Sequence, residues 1–176
     1  TPPSQGGSGV YAKGSYGRIN GAMTVAKAMP WRSLLLWRVQ AQSGSDYLTS
    51  LERYGLGGAS ILRGYDSDYM VDSALVSALD LRVPLLPKSW EQAQGMQAHG
   101  LLFIDYAKGW VHDPDTFEQQ NQVDGINLYD YGLGVAVAMK DAFTFKAQVA
   151  WPFAGAPEPQ SKKNLALWLS LAINVA

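Results

Sequence analysis

The 176-residue sequence has no cysteine. That absence excludes a disulfide framework and every metal site built on thiolates. Charge is also scarce: Asp, Glu, Lys and Arg make up 16% of the chain, against about 25% in an average soluble domain. The 14 basic and 15 acidic residues leave a net charge of −1, without the basic excess that marks a nucleic-acid binder. No segment supplies the roughly 18–20 consecutive apolar residues of a membrane-crossing helix. The most hydrophobic stretches, Ser33–Leu36 and Leu165–Leu171, are too short or too mixed. No Gly-x-Ser-x-Gly, zinc-protease or phosphate-loop pattern is present, so nothing points to an enzyme or a cofactor. What fills the space left by charge is small and neutral: 18 Gly, with many Ala, Ser, Gln and Asn.

The dominant pattern is alternation with period two, the signature of strands. Between Leu128 and Lys140 one row reads Tyr129, Tyr131, Leu133, Val135, Val137, Met139, and the other Asp130, Gly132, Gly134, Ala136, Ala138. Phe143, Phe145, Val149, Trp151 and Phe153 oppose Thr144, Lys146, Gln148 and Ala150. Leu165, Leu167, Leu169, Leu171 and Ile173 oppose Ala166, Trp168, Ser170 and Ala172. Further strands are predicted over Ala78–Leu85, Leu101–Trp110, Trp31–Gln42 and Arg18–Met29. That makes seven, with an eighth expected near Val10–Lys13. Connections alternate between tight turns, such as Met29-Pro30-Trp31, and long loops rich in Gly, Pro, Asp and Gln. Leu86–Ala98 is the exception, a long connection where a short turn is expected.

The polar row decides between a soluble sandwich and a membrane barrel. A water-facing strand usually carries Lys, Glu, Thr and Arg; here the row is Gly, Ala, Ser, Gln and Asn with an isolated charge per strand. Small residues suit a crowded barrel lumen, and the opposite row is continuous Leu, Val and Phe with aromatics near the strand ends. Segments of about 9–11 residues span a bilayer when tilted, and in hydrocarbon such strands must close on themselves. The expected fold class is therefore all-β, an antiparallel transmembrane β-barrel, either small and complete or part of a larger one. Partners on this reading include outer-membrane lipid and no nucleic acid.

One loop bears on that choice. The run from Leu51 to Asp66 contains Gly57-Gly58 followed by Leu62-Arg63-Gly64-Tyr65. It resembles the sixth-loop motif of the BamA/FhaC-type outer-membrane translocators, a Gly-Gly pair followed by Val-Arg-Gly-Phe or Val-Arg-Gly-Tyr, with Leu62 for Val. Downstream, Leu79-Asp80-Leu81-Arg82-Val83-Pro84 is similar to the family's acidic-Leu-Arg-x-Pro strand. Phe103-Ile104-Asp105-Tyr106-Ala107 is similar to its Phe-x-Asp-x-Gly strand, with Ala107 for Gly. Within the family, Leu51–Gly58 and Gln40-Ala41-Gln42 look most like two-partner secretion transporters of the FhaC, ShlB and HecB types.

The resemblance implies the C-terminal part of a 16-stranded barrel over residues 1–176, with an inward-folding loop at about 44–72. The POTRA domains that bind substrate would lie outside this chain. It implies export of an unfolded haemolysin- or adhesin-like exoprotein, or, in the BamA and TamA branch, assembly of other barrels. A passive pore or structural barrel is the alternative of another class. The opening Thr1-Pro2-Pro3 is read as that of a fragment or processed product. The ending Ile173-Asn174-Val175-Ala176 lacks the terminal Phe or Trp read by the barrel assembly machinery, a further expected partner.

The resemblance also implies that Arg63 pairs with Asp105. Parity agrees, because Asp105 lies in the polar row, and a carboxylate facing lipid is costly. Gly64 is expected to let the chain turn tightly, and Tyr65 to pack on the inner wall. Asp80, Arg82, Asp130 and Lys146 are expected to line the lumen as a polar network. His112-Asp113-Pro114-Asp115, with Glu118 and Asp124, reads as a solvated loop rather than a cation site.

Overall fold

The structure, a computed structural model, describes residues 17–45, 48, 51–65, 69–111, 125–140, 142–153 and 165–173, with the backbone alone at 92–94. The expected strand at Val10–Lys13 and the His112–Asp124 segment lie outside the described residues. In chain order the elements are β1 (Arg18–Ala28), β2 (Leu34–Gly44), β3 (Tyr54–Leu56), β4 (Tyr69–Val71), β5 (Ser73–Pro84), α1 (Lys88–Gln94), β6 (Met96–Trp110), β7 (Ile126–Met139), β8 (Phe143–Pro152) and β9 (Ala166–Ile173).

Seven of the strands form one sheet in the order β1-β2-β5-β6-β7-β8-β9, every neighbour antiparallel. The fold is all-β, as the alternation predicts, and it is an open stretch of barrel wall. Among the described residues, β1 and β9 each pair along one side only. The seven strands match the seven expected from the sequence, though β5 and β6 begin five residues earlier than Ala78 and Leu101.

Register fixes which row shares a face. Asp105 lies opposite Ala78 on β5 and Asp130 on β7, while Ile104 lies opposite Leu79 and Tyr131. Every exposed large hydrophobic of these seven strands falls in the second, outer row, among them Leu79, Leu102, Ile104, Leu133, Leu169 and Ile173. A continuous apolar surface of this kind far exceeds the scattered patches a water-soluble monomer carries. Near the long-loop end, Tyr106 meets Tyr129, and Tyr131 meets Trp151 and Phe153. These contacts form an aromatic band of the sort found where a barrel leaves the hydrocarbon.

Two segments depart from the alternation. Trp31–Gln42 is expected as a strand, but β2 begins at Leu34, and residues 30–33 form a tight reverse turn. Trp31 and Arg32 are left-handed there, with φ of 57° and 62°. Pro30 has no N–H to give the ladder, so the chain turns over on its own backbone, and Ser33 N–H donates to the Pro30 carbonyl at 3.2 Å. The long connection at Leu86–Ala98 holds α1, closed by Gly95 at φ 62° and joined to the neighbouring turn by an Arg32–Glu91 ion pair.

The β2–β5 connection folds inward and carries the β3–β4 hairpin. Its base is tied down by Asp72. The carboxylate accepts the Leu48 N–H at 3.0 Å and forms an ion pair with Arg53 at 3.3 Å, and Gln42 donates to the Asp72 and Glu52 carbonyls. Leu56, Leu62, Tyr65 and Val71 of this segment pack on Ala74, Val76, Ala107, Ile126 and Leu128 of the wall. This is the main apolar core, and it lies on the inner side of the sheet. Each such burial contributes about 1.5–3 kcal/mol, so the segment is a packed body and not a free strand of chain.

Candidate functional site: a loop tip seated on the inner wall

Three inward carboxylates on three neighbouring strands set the site: Asp80 on β5, Asp105 on β6 and Asp130 on β7. All three are buried. Asp105 and Asp130 lie directly opposite one another, a placement in which like charges are destabilising, and Asp80 stands diagonal to Asp105. The loop tip supplies the counter-charge.

Arg63 enters as a fork. Its Nε donates to Asp105 Oδ2 at 2.8 Å and its Nη2 to Asp105 Oδ1 at 2.7 Å. The same Nη2 reaches Asp80 Oδ1 at 2.6 Å, and Arg38 on β2 holds the other Asp80 oxygen at 2.8 Å. The guanidinium lies over the Phe103 ring, 3.5 Å from its centroid. Planarity makes this possible: one flat group takes a bidentate acid at its edge and an aromatic ring on its face. Burial works against the charged form of Arg63, but the hydrogen bonds and charges of Asp105 and Asp80 outweigh it and hold the pKa above the ordinary arginine value.

The tip's backbone is bound as firmly as its side chain. Arg63 N–H donates to Asp105 Oδ2 at 3.3 Å, Gly64 N–H to Asp130 Oδ2 at 2.7 Å, and Tyr65 hydroxyl to the Tyr129 carbonyl at 3.1 Å. The Arg63 carbonyl accepts from Trp168 Nε1 on β9 at 2.6 Å. Inside the loop, Gly58 N–H donates to the Tyr65 carbonyl at 2.8 Å. Gly57 and Gly58, at φ of 141° and 90°, give the loop a backbone shape that L-residues rarely adopt.

Gly64 serves differently from the expected tight turn. Its φ is not positive; what it provides is room. A Cβ there would lie 2.6 Å from Asp130 Cβ. Gly132 provides room too, since a Cβ would meet Phe103 Cζ and the Val149 carbonyl oxygen, each at 2.2 Å. Gly109 lies under Leu56 and Val71 in the same manner.

Of the residues singled out in the sequence, the structure brings together Arg63, Gly64, Tyr65, Asp80, Phe103, Asp105 and Asp130, with Gly57 and Gly58 shaping the approach. Arg82 and Lys146 share the inner face. Among the described residues, however, the ion pairs of this cluster are Arg38–Asp80, Arg63–Asp80 and Arg63–Asp105. Trp168, Arg38, Gly109 and Gly132 are contributors the motifs do not include. Trp168 had one visible signal, as the only large aromatic in a row of small residues.

An antiparallel barrel wall with apolar exterior, small-residue interior and an inward loop locked by a buried arginine defines a class: a β-barrel membrane protein with an internal loop as part of its lumen. The chain belongs to the Omp85 superfamily, whose domain profile matches residues 6–170. Proteins of that superfamily are outer-membrane translocators or assembly factors that handle other proteins. No curated protein shows significant similarity to the chain.

Proposed function

We propose that the chain forms the C-terminal, loop-bearing part of an outer-membrane barrel that exports an unfolded partner exoprotein, as two-partner secretion transporters do. The loop over about 44–72 is its working part, and substrate-binding POTRA domains lie elsewhere in the protein. The observation that carries this reading is the burial of the Arg63 fork between Asp105 and Asp80 on the inner wall. A charge taken from water and paired on one wall specifies a loop position, because removing one partner of such a pair costs about 3–5 kcal/mol. The choice of export over barrel assembly is supported by the likeness of Leu51–Gly58 and Gln40-Ala41-Gln42 to the secretion branch.

The test is secretion by the intact protein carrying Arg63→Ala or Asp105→Ala. Both variants are expected to reach the membrane at normal levels and to release much less exoprotein. Wild-type secretion at normal barrel levels sinks the proposal. Unimpaired export with defective insertion of other barrels would favour the assembly branch instead.

A further inference from the structure

Trp168 stands on the inner face of β9, where its inward neighbours are Ala166, Ser170 and Ala172. Its indole packs against Phe103, Ala150 and Ala166, and Phe103 is the ring beneath the Arg63 guanidinium. Its N–H bond to the Arg63 carbonyl joins residues 105 positions apart.

That carbonyl belongs to the same peptide group as the Gly64 N–H held by Asp130. A trans peptide is planar, with its oxygen and hydrogen pointing in opposite directions. One rigid peptide unit is therefore bonded at its N–H end to β7 and at its C=O end to β9, across the intervening β8. Among the described residues, β9 is the shortest strand of the main sheet and pairs only with β8. The tip is thus bolted to the interior of the wall through Asp80, Asp105 and Asp130, and to its margin through a single indole.

We propose that Trp168 is a positioning residue that couples the seating of the loop tip to the position of the marginal strand β9. Displacing β9 from β8 draws the indole away from the bar that Asp130 fixes at its other end, so the tip loses one hold. By thermodynamic reciprocity, unseating the tip loosens β9 by the same factor. The inference rests on the reading that the seated loop is the working part, but it is tested without transport.

The experiment is hydrogen exchange on the full-length protein in lipid nanodiscs, with the unfolding midpoint as a control. Trp168→Phe keeps the ring and deletes the donor. Exchange of the 57–65 amides is expected to rise about fivefold, the equilibrium worth of one buried neutral hydrogen bond, with the unfolding midpoint unchanged. Asp105→Asn, which weakens the tip's hold on β6, is expected to speed exchange of the β9 amides in the Trp168 protein and not in the Trp168→Phe background. Unaltered loop exchange in Trp168→Phe overturns the coupling. So does unaltered β9 exchange in Asp105→Asn, an arm that needs no change at residue 168 should Trp168→Phe fail to assemble. A loss of secretion without either exchange effect assigns Trp168 a packing role only.

Discussion

Replacing Gly64 by alanine is a demanding test of the seated loop, because the substitution adds one methyl group and little else. The backbone at Gly64 is outside the left-handed region, so alanine meets no left-handed strain there. The whole effect must come from the new Cβ, which would lie 2.6 Å from Asp130 Cβ and 3.1 Å from Asp130 Oδ2. Neither side gives easily: β7 is paired along both edges, and the tip is pinned by Arg63. Relief requires a shift of roughly 1 Å, beyond which the bond from Gly64 N–H to Asp130 is lost. Overpacking costs about 1–3 kcal/mol, and the lost hydrogen bond a further 0.5–1.5 kcal/mol, roughly. The sum of about 1.5–4.5 kcal/mol lowers the ratio of seated to unseated loop by roughly tenfold to a thousandfold. Hydrogen exchange over 57–65 reads this directly, while heat-modifiable gel migration shows that the barrel itself remains folded. Gly21→Ala on β1, where a Cβ meets nothing within 4 Å, is the neutral control. Native exchange in Gly64→Ala would refute the close approach to Asp130 and, with it, the geometry of the tip.

Two further outcomes follow from the same site. Gly132→Ala drives a methyl into Phe103 and the Val149 carbonyl, so it should lower the barrel's unfolding midpoint as well as loosen the tip; Phe103→Leu should rescue it only in part, because the backbone clash remains. An unchanged midpoint in Gly132→Ala contradicts the packing described. Burial raises the Tyr65 hydroxyl pKa from 10.0 to about 12. The stability this neutral phenol lends is therefore fully present below about pH 10 and is lost as pH rises through about 12. Burial raises Tyr54 as well, so tyrosinate absorbance should show late-titrating groups, of which Tyr65→Phe removes one. If the two titration curves superimpose, the Tyr65 hydroxyl is not buried.

The wall was legible because a strand writes its two faces into alternate residues, and here lipid and lumen make opposite demands. Asp105 among Ile104 and Tyr106 already shows which side is which. The Arg63–Asp105 pair was legible only through the resemblance, since 42 residues and no periodic pattern separate its members. Other features left no mark of that sort. The α1 segment is too short for a helical period to emerge, and the β3 and β4 strands of three residues each are too short for alternation. Gly64 and Gly132 look alike in sequence to Gly57 and Gly58. Two are required by contact and two by torsion, a distinction only the packed structure makes. Trp168 was visible as an oddity in its row, but its partner, a backbone carbonyl, has no sequence signature at all.

The sequence distances spanned by the tip bear on the order in which the protein is built. Arg63 meets Asp80 across 17 residues, Asp105 across 42 and Trp168 across 105, while Gly64 meets Asp130 across 66. Non-local contacts form late, because the chain between them must be ordered first. The lock can close in part once β5 and β6 are in place, but it closes fully only when β9 has joined the sheet. A completely seated tip is thus a record that the wall has been assembled through its last described strand, so the loop matures as the barrel does.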